Sequence, residues 1–247
     1  MSDVVLQTRG LSMAFGGLKV FNGLEFALQR GERHAVIGPN GAGKSTFVAV
    51  VTGLLSPTAG KVFLDGRDVT RTSARDRVKA GIVRTFQINT LFASLTPLES
   101  VLIALSQRDG VARPSLRPLK SLKPQIEEAD ALLHKFGLAD DATALTQALP
   151  YGKQRLLEVV LAFALRPRVL LLDEPAAGLS THQGQELFEQ LATLTDGTTM
   201  LFVEHDMNIV FRYAQRVSVL AGGSVLATGT PEEIRSHDGV KGAYLGH

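Results

Sequence analysis

Short apolar or β-branched runs alternate along this chain with stretches whose apolar residues recur every three or four positions. The runs predict strands at residues 4–11, 20–28, 33–37, 61–64, 82–85, 169–172, 199–203, 217–220 and 224–228. Their alternation with helical stretches favours a largely parallel sheet with helices on its faces. The first two runs and 61–64 are punctuated by Gly16-Gly17, Gly60 and Gly66. They read as an antiparallel meander. Helix starts are marked by Thr96-Pro97-Leu98-Glu99 and Thr230-Pro231-Glu232-Glu233, each with a capping hydroxyl, a proline and a returning Glu. Ile126, Ala129, Leu133 and Phe136 form one helical stripe closed by Gly137, and Leu187, Leu191 and Leu194 form another. Residues 156–165 are apolar almost all round after Lys153-Gln154-Arg155, which predicts a helix buried along its length with its polar end at the start.

The sharpest chemical signal is Gly38-Pro-Asn-Gly-Ala-Gly-Lys-Ser-Thr46, a G-x-x-x-x-G-K-[ST] match between a short apolar strand and a helical run. Glycines let successive N–H groups turn toward phosphate oxygens, and the following helix adds its positive end. Gly38, Asn40, Gly41, Ala42, Gly43, Lys44, Ser45 and Thr46 are therefore the candidate nucleotide contacts. Lys44 would neutralise the β- and γ-phosphates, Ser45 would ligate Mg²⁺, and Thr46 would bind an α-phosphate oxygen. A second signal is Val169-Leu-Leu-Leu-Asp173-Glu174, a buried strand with two acids at its C-terminal end. Open α/β sheets bind ligands there. Asp173 would hold Mg²⁺, and Glu174 would polarise the attacking water as general base.

Four further segments narrow the class. Leu149-Pro150-Tyr151-Gly152-Lys153-Gln154-Arg155 precedes the buried helix, Gln87 follows the strand at 82–85, His205 follows the strand at 199–203, and Ala177-Gly178-Leu179-Ser180 follows the acidic pair. With these the chain resembles the ATP-binding subunits of ABC transporters over essentially its whole length. RTFQ at 84–87, LPYGKQR, DEPAAGLS and the AYLG ending look most like importers of branched-chain and other hydrophobic amino acids. The resemblance implies a P-loop NTPase of ABC ATPase type, α/β, with a mostly parallel core sheet and an antiparallel β-subdomain (1–95 and 166–247). A small helical subdomain would occupy about 96–165. It implies that Gln87 contacts Mg²⁺ and the water, that His205 bonds the γ-phosphate, and that Phe15 stacks on adenine. Pro150, Tyr151 and Gly152 would complete the ATP site of a second ATPase subunit, identical or a sister chain. Two departures stand out: no serine precedes Gly152 as in the commonest signature segment, and Ser180 replaces the usual acid of the D-loop.

The implied partners are ATP, transmembrane permease subunits and, indirectly, a periplasmic or extracellular solute-binding protein, with no nucleic acid. An exporter ATPase, a soluble ABC-type ATPase and a P-loop phosphotransferase are the alternatives. Composition agrees with a globular chain: 247 residues, 45% apolar and 20% charged, with no cysteine for a disulfide or thiolate metal site. No apolar run reaches membrane-spanning length, and residues 1–5 do not read as an export signal. The expected location is cytoplasmic, peripheral on the inner face of the membrane. The net charge is only +2, but residues 71–123 hold ten Lys/Arg against three acids. That excess, including Arg108, Arg113, Arg117 and Lys120, reads either as a solvated face or as a surface that faces anionic lipid or an acidic partner.

Overall fold

The first two strands run longer than the apolar runs that mark them. β1 (Val4–Phe15) and β2 (Leu18–Gln29) have 12 residues each and pair antiparallel across the turn at Gly16-Gly17. Register shifts along this pair break the strict alternation, which is why the sequence pattern loses the ends. The computed structural model describes residues 3–85, 91–110, 122–194 and 197–245. β4 (Ala59–Leu64) joins β1 on its other side, and the two-residue β5 (Arg67–Asp68) completes a four-stranded sheet ordered β2-β1-β4-β5.

A second sheet is built from β3 (Arg33–Ile37), β6 (Ile82–Arg84), β7 (Val169–Asp173), β8 (Met200–Val203), β9 (Arg216–Ala221) and β10 (Ser224–Gly229). Its order is β10-β9-β3-β8-β7-β6. All neighbours pair parallel except β10, which lies antiparallel at the edge. β7 and β8 are buried at every position, as parallel strands covered on both faces must be. β10 alternates exposed and half-buried residues, as suits an edge. The order leaves β3 and β7 on either side of β8, so the loops after Ile37 and Asp173 leave the same end of the sheet.

α1 (Lys44–Val51) follows β3, and Phe47, Val48, Val50 and Val51 are buried in one apolar cluster with residues from both sheets. The far end of α1 is held by an arginine. Arg77, in α2 (Ala74–Ala80), is 1% exposed and donates to the carbonyls of Val50, Val51 and Thr70 at 2.6, 2.7 and 2.8 Å. Carbonyls in the last turn of a helix lack intrahelical donors, and the guanidinium supplies them here. Burial pulls the Arg77 guanidinium below its ordinary value, against the attraction of Asp68. α2 escaped prediction because its one buried side chain is this arginine, so it shows no apolar stripe. α7 (Met207–Tyr213), started by an Asp206 cap, was also missed for its short length.

The chain divides into two compact units. Both sheets, α1, α2, α7, α8 (Pro231–Ser236) and α9 (Asp238–Leu245) belong to residues 1–84, 168–175 and 195–247. The second unit, 85–167 and 176–194, contains α3 (Pro97–Arg108), α4 (Lys123–Lys135), α5 (Tyr151–Ala164) and α6 (Thr181–Leu194). Capping boxes form at Thr96/Glu99 and Thr230/Glu233, at both sites where the sequence placed them.

Two expectations change. α5 is buried on most of its length, but Glu158 is buried within the stretch read as apolar, beside Arg155 of the polar start, so its polar groups are not confined to the start. The basic surface also loses members to internal braces. Arg108 donates to both Glu128 oxygens at 2.7 and 2.8 Å, to Asp109 at 2.7 Å and to the Ala164 carbonyl at 2.9 Å. Charged hydrogen bonds of this kind need a fixed fork, and they spend the arginine on the helical unit itself. Arg77 is equally committed inside, while Arg113, Arg117 and Lys120 lie outside the described residues.

Candidate functional site

At two of its glycines the phosphate loop leaves no room for a side chain. A Cβ on Gly38 would meet the Leu220 carbonyl oxygen at 2.3 Å, and one on Gly43 would meet Val20 Cγ1 at 2.8 Å. Gly43 is also left-handed, φ 92°, and caps α1 with no side-chain bond. Glycine at 43 lets the chain turn from the loop into the helix in one residue. The first N–H groups of α1 therefore face outward with no intrahelical acceptor, a ready anion seat. Lys44 Nζ folds back on its own loop, donating to the carbonyls of Gly38 at 2.7 Å and Pro39 at 3.1 Å. Burial pulls this ammonium below the ordinary lysine value, against the attraction of Glu174 and Asp173. Ser45 is exposed, and Thr46 is half-buried. Asn40 and Gly41 are exposed at the loop's tip, and Ala42 is buried beneath it.

The acidic strand end stands in the same unit. Asp173 is 1% exposed, and its Oδ2 accepts from Arg84 at 2.5 Å. Its Oδ1 is buried with no partner among the described residues. Burial pushes the Asp173 carboxyl up from its ordinary value, opposed by the Arg84 guanidinium and Lys44, while Glu174 adds to the rise. An orphaned buried carboxylate oxygen is costly unless a cation or water completes it. Arg84 was not picked out by sequence reasoning. The available signal was a basic residue at the end of β6: parallel register sets Arg84 beside Leu171, and residue 173 shares that face.

Glu174 is half-buried and left-handed at φ 49°, one of three non-glycine residues with positive φ among the described residues. Its N–H donates to the Val203 carbonyl at 3.0 Å, tying it to the end of β8. Strained φ values persist where neighbouring structure over-determines them, and they cluster at functional sites. Next to β8, Glu204 is 1% exposed while the His205 side chain is 72% exposed. Glu204 Oε2 accepts the His205 N–H at 3.3 Å and lies 3.8 Å from Nδ1. Glu204 was another omission; a charge following a fully apolar strand is the cue for it. Asp173, Glu174, Lys44 and His205 are thus all placed on the ends and connections of β3, β7 and β8. Phe15, 49% exposed, tips the β1–β2 hairpin, whose second strand supplies the Val20 contact to Gly43. Gln87 lies outside the described residues.

In the second unit Pro150 caps α5 and Gly152 lies in its first turn. The Tyr151 hydroxyl is not free for a phosphate: it donates to the Ala177 carbonyl at 3.2 Å and accepts from Arg155 Nη2 at 2.6 Å.

The ABC transporter profile matches residues 21–177, with the phosphate loop and the acidic strand end inside the match. The chain belongs to the ABC transporter family. A second profile, for the branched-chain amino acid ATP-binding cassette transporter, matches residues 224–247. The high-affinity branched-chain amino acid transport ATP-binding protein LivG of Escherichia coli K12 is 38% identical, over 100% of this chain and 99% of its own. The protein BraF of Pseudomonas aeruginosa, bearing the same description, is 37% identical over 100% and 99%. An ATP-binding cassette of an ABC transporter crystallised in its ADP conformation superposes with TM-score 0.85 at 28% identity, covering 99% of both chains. A dimeric bacterial ABC transporter cassette, 24% identical, shares the fold at TM-score 0.75 over 92% of this chain and 98% of its own. This ABC ATPase therefore binds ATP and hydrolyses it to power transport. Among its described residues no helix is long and apolar enough to cross a membrane.

Lys44→Ala in this ATPase is expected to weaken ATP binding about 10- to 150-fold, the range for losing charged hydrogen bonds. Titration with a fluorescent ATP analogue checks this, and unchanged affinity would remove Lys44 from the phosphate seat.

Proposed function

We propose that this chain is the ATPase subunit of an importer for branched-chain amino acids or chemically similar solutes. It would sit on the cytoplasmic face of the membrane against transmembrane permease subunits, which in turn receive solute from a binding protein outside. The observation that carries the reading is the match of residues 224–247 to the branched-chain profile, beside full-length similarity to LivG and BraF.

The roles follow from the site. Amides at the start of α1 and Lys44 hold the triphosphate, and Phe15 stacks on the adenine. Glu174 accepts a proton from water as the water oxygen bonds the γ-phosphorus and the bond to the ADP oxygen breaks. His205, exposed beside this site, donates to the γ-phosphate, and Gln87 reports occupancy to the permease. The residues fit Mg²⁺: Ser45 offers an exposed hydroxyl and Asp173 a buried oxygen with no partner among the described residues. Both are hard oxygen donors, and among the described residues no cluster of three acids or histidines competes as a full metal cage. Bound Mg²⁺ would neutralise charge on the β- and γ-phosphates. Pro150 and Gly152 at the start of α5 would close the ATP site of a second ATPase subunit, identical or a sister chain. Two ATP molecules between two such chains would then favour the closed dimer by differential affinity.

A deletion strain is the direct test. Uptake of labelled leucine should fall to background and return with the wild-type gene, but not with Lys44→Ala. Leucine uptake unchanged by the deletion would overturn the substrate class.

A further inference from the structure

β6 is the edge strand of its sheet, and Arg84 is its one polar residue. Ile82 and Val83 are buried, so the strand is anchored by its first two side chains and ends in a guanidinium beside β7. Arg84, Asp173, Glu174 and Lys44 all belong to the same compact unit.

Arg84 and Asp173 are joined by one arm only. Arginine and carboxylate frequently meet fork to fork, through two parallel N–H···O bonds. Here Arg84 Nη2 donates to Asp173 Oδ2 at 2.5 Å, while Arg84 Nε and Asp173 Oδ1 are both buried with no partner among the described residues. The donor and the acceptor for a second arm are present, yet the arm is not made. The Arg84 side chain is 15% exposed and that of Asp173 1%, so water has little access to either. An aspartate's terminal torsion is broad and two-fold, which leaves its oxygens equivalent until a neighbour distinguishes them. Arg84 does so by engaging Oδ2 and leaving Oδ1 open.

Charge alone does not account for the arrangement. Arg84 and Lys44 both attract the Asp173 carboxylate, and Glu174 repels it. Two cations thus stand against two carboxylates, and their formal charges cancel. The pull on a divalent cation then comes chiefly from the triphosphate, and what these side chains add is geometry. Groups that hydrogen-bond a metal-ligating carboxylate set its orientation, and losing one typically costs roughly 10–100-fold in metal affinity or activity.

We infer that Arg84 is a positioning residue for the Mg²⁺ that accompanies ATP: by holding Oδ2 of Asp173 it keeps Oδ1 turned out for the cation. It acts through Asp173 and not on the nucleotide. This rests on the reading of Asp173 as a metal-holding residue. It also gives a role to the arginine that opens the RTFQ segment at 84–87.

The test is binding of Mn²⁺, a hard cation suited to the same oxygen donors, to the purified full-length chain with ADP. The free-ion electron paramagnetic resonance signal reports it. Arg84→Met removes the fork and keeps the bulk. It is expected to raise the apparent Kd for Mn²⁺ about tenfold, with ADP affinity in EDTA within twofold of wild type. Arg84→Lys keeps the charge without the planar fork and should recover part of the loss. A purely structural role would lower the unfolding midpoint of Arg84→Met and leave its Mn²⁺ affinity at the wild-type value, which would overturn the proposal. Tighter Mn²⁺ binding would overturn it as well, by showing that the guanidinium chiefly repels the cation. So would a tenfold loss of ADP affinity in EDTA, which would place Arg84 on the nucleotide seat. Should Arg84→Met fail to fold, Arg84→Lys decides: weakened Mn²⁺ binding supports the proposal, and wild-type or tighter binding rejects it. Wild-type Mn²⁺ affinity in Asp173→Asn would instead sink the metal role of Asp173 on which the inference stands.

Discussion

Replacing Glu174 by Gln is expected to slow ATP hydrolysis on the order of 10²–10⁴-fold while ATP stays bound. The amide preserves size and can keep the left-handed backbone, whose N–H bond to Val203 does not involve the side chain. What it cannot do is accept the proton of the attacking water. Binding is expected to hold for an electrostatic reason. The seat for a triphosphate is bordered by two carboxylates, and both act on the Lys44 ammonium. Removing one negative charge from beside an anionic ligand does not weaken its attachment. Phosphate-release kinetics, together with titration by a fluorescent ATP analogue, separate these effects. Turnover within tenfold of wild type would reject Glu174 as the base.

Arg77→Met should destabilise the fold by about 3 kcal/mol or more. The guanidinium serves the carbonyls of Val50, Val51 and Thr70, all within 2.8 Å, from a fully buried position. Methionine fills similar space but withdraws the guanidinium donors from these carbonyls; among the described residues only Val50 keeps a backbone donor, the Gly53 N–H at 3.1 Å. At this chain length the loss corresponds to a midpoint drop of roughly 6–12 °C in thermal unfolding. Arg77→Lys should recover only part, since one ammonium cannot reproduce the planar fork. The same variant should bind ATP more weakly, because the helix it caps begins with Lys44 and Ser45. An unfolding midpoint within 2 °C of wild type would show that the three carbonyls find other donors.

These two positions also mark the limits of what the sequence discloses. Glu174 is legible because its chemistry is announced locally, by an acidic pair ending a four-residue apolar run. Arg77 is misleading in sequence. It counts among the ten basic residues of 71–123 and suggests a charged exterior, yet it is buried as a cap for a helix 26 residues earlier. Arg108 misleads in the same way, its charge being taken up by Glu128 and Asp109. Net charge along a segment says nothing of which guanidinium finds a carbonyl. Arg84 and Asp173 pair across 89 residues, and only the adjacency of β6 and β7 brings them together. Tyr151 stood out as a possible anion contact. Its hydroxyl proton instead goes to Ala177, for a reason set by Arg155 one helical turn away and by the missing side chain at Gly178.

The sequence by itself determined the phosphate loop, the acidic strand end, the capped helix starts and the family to which they belong. Each is written in a few consecutive residues, where backbone dihedrals and side-chain period decide the outcome. Tertiary structure alone decided which charges are spent inside, which oxygen of Asp173 lacks a partner among the described residues, and that the end of β8 takes the Glu174 N–H. Those outcomes depend on strand register and on removal from water, and both arise only when distant segments pack.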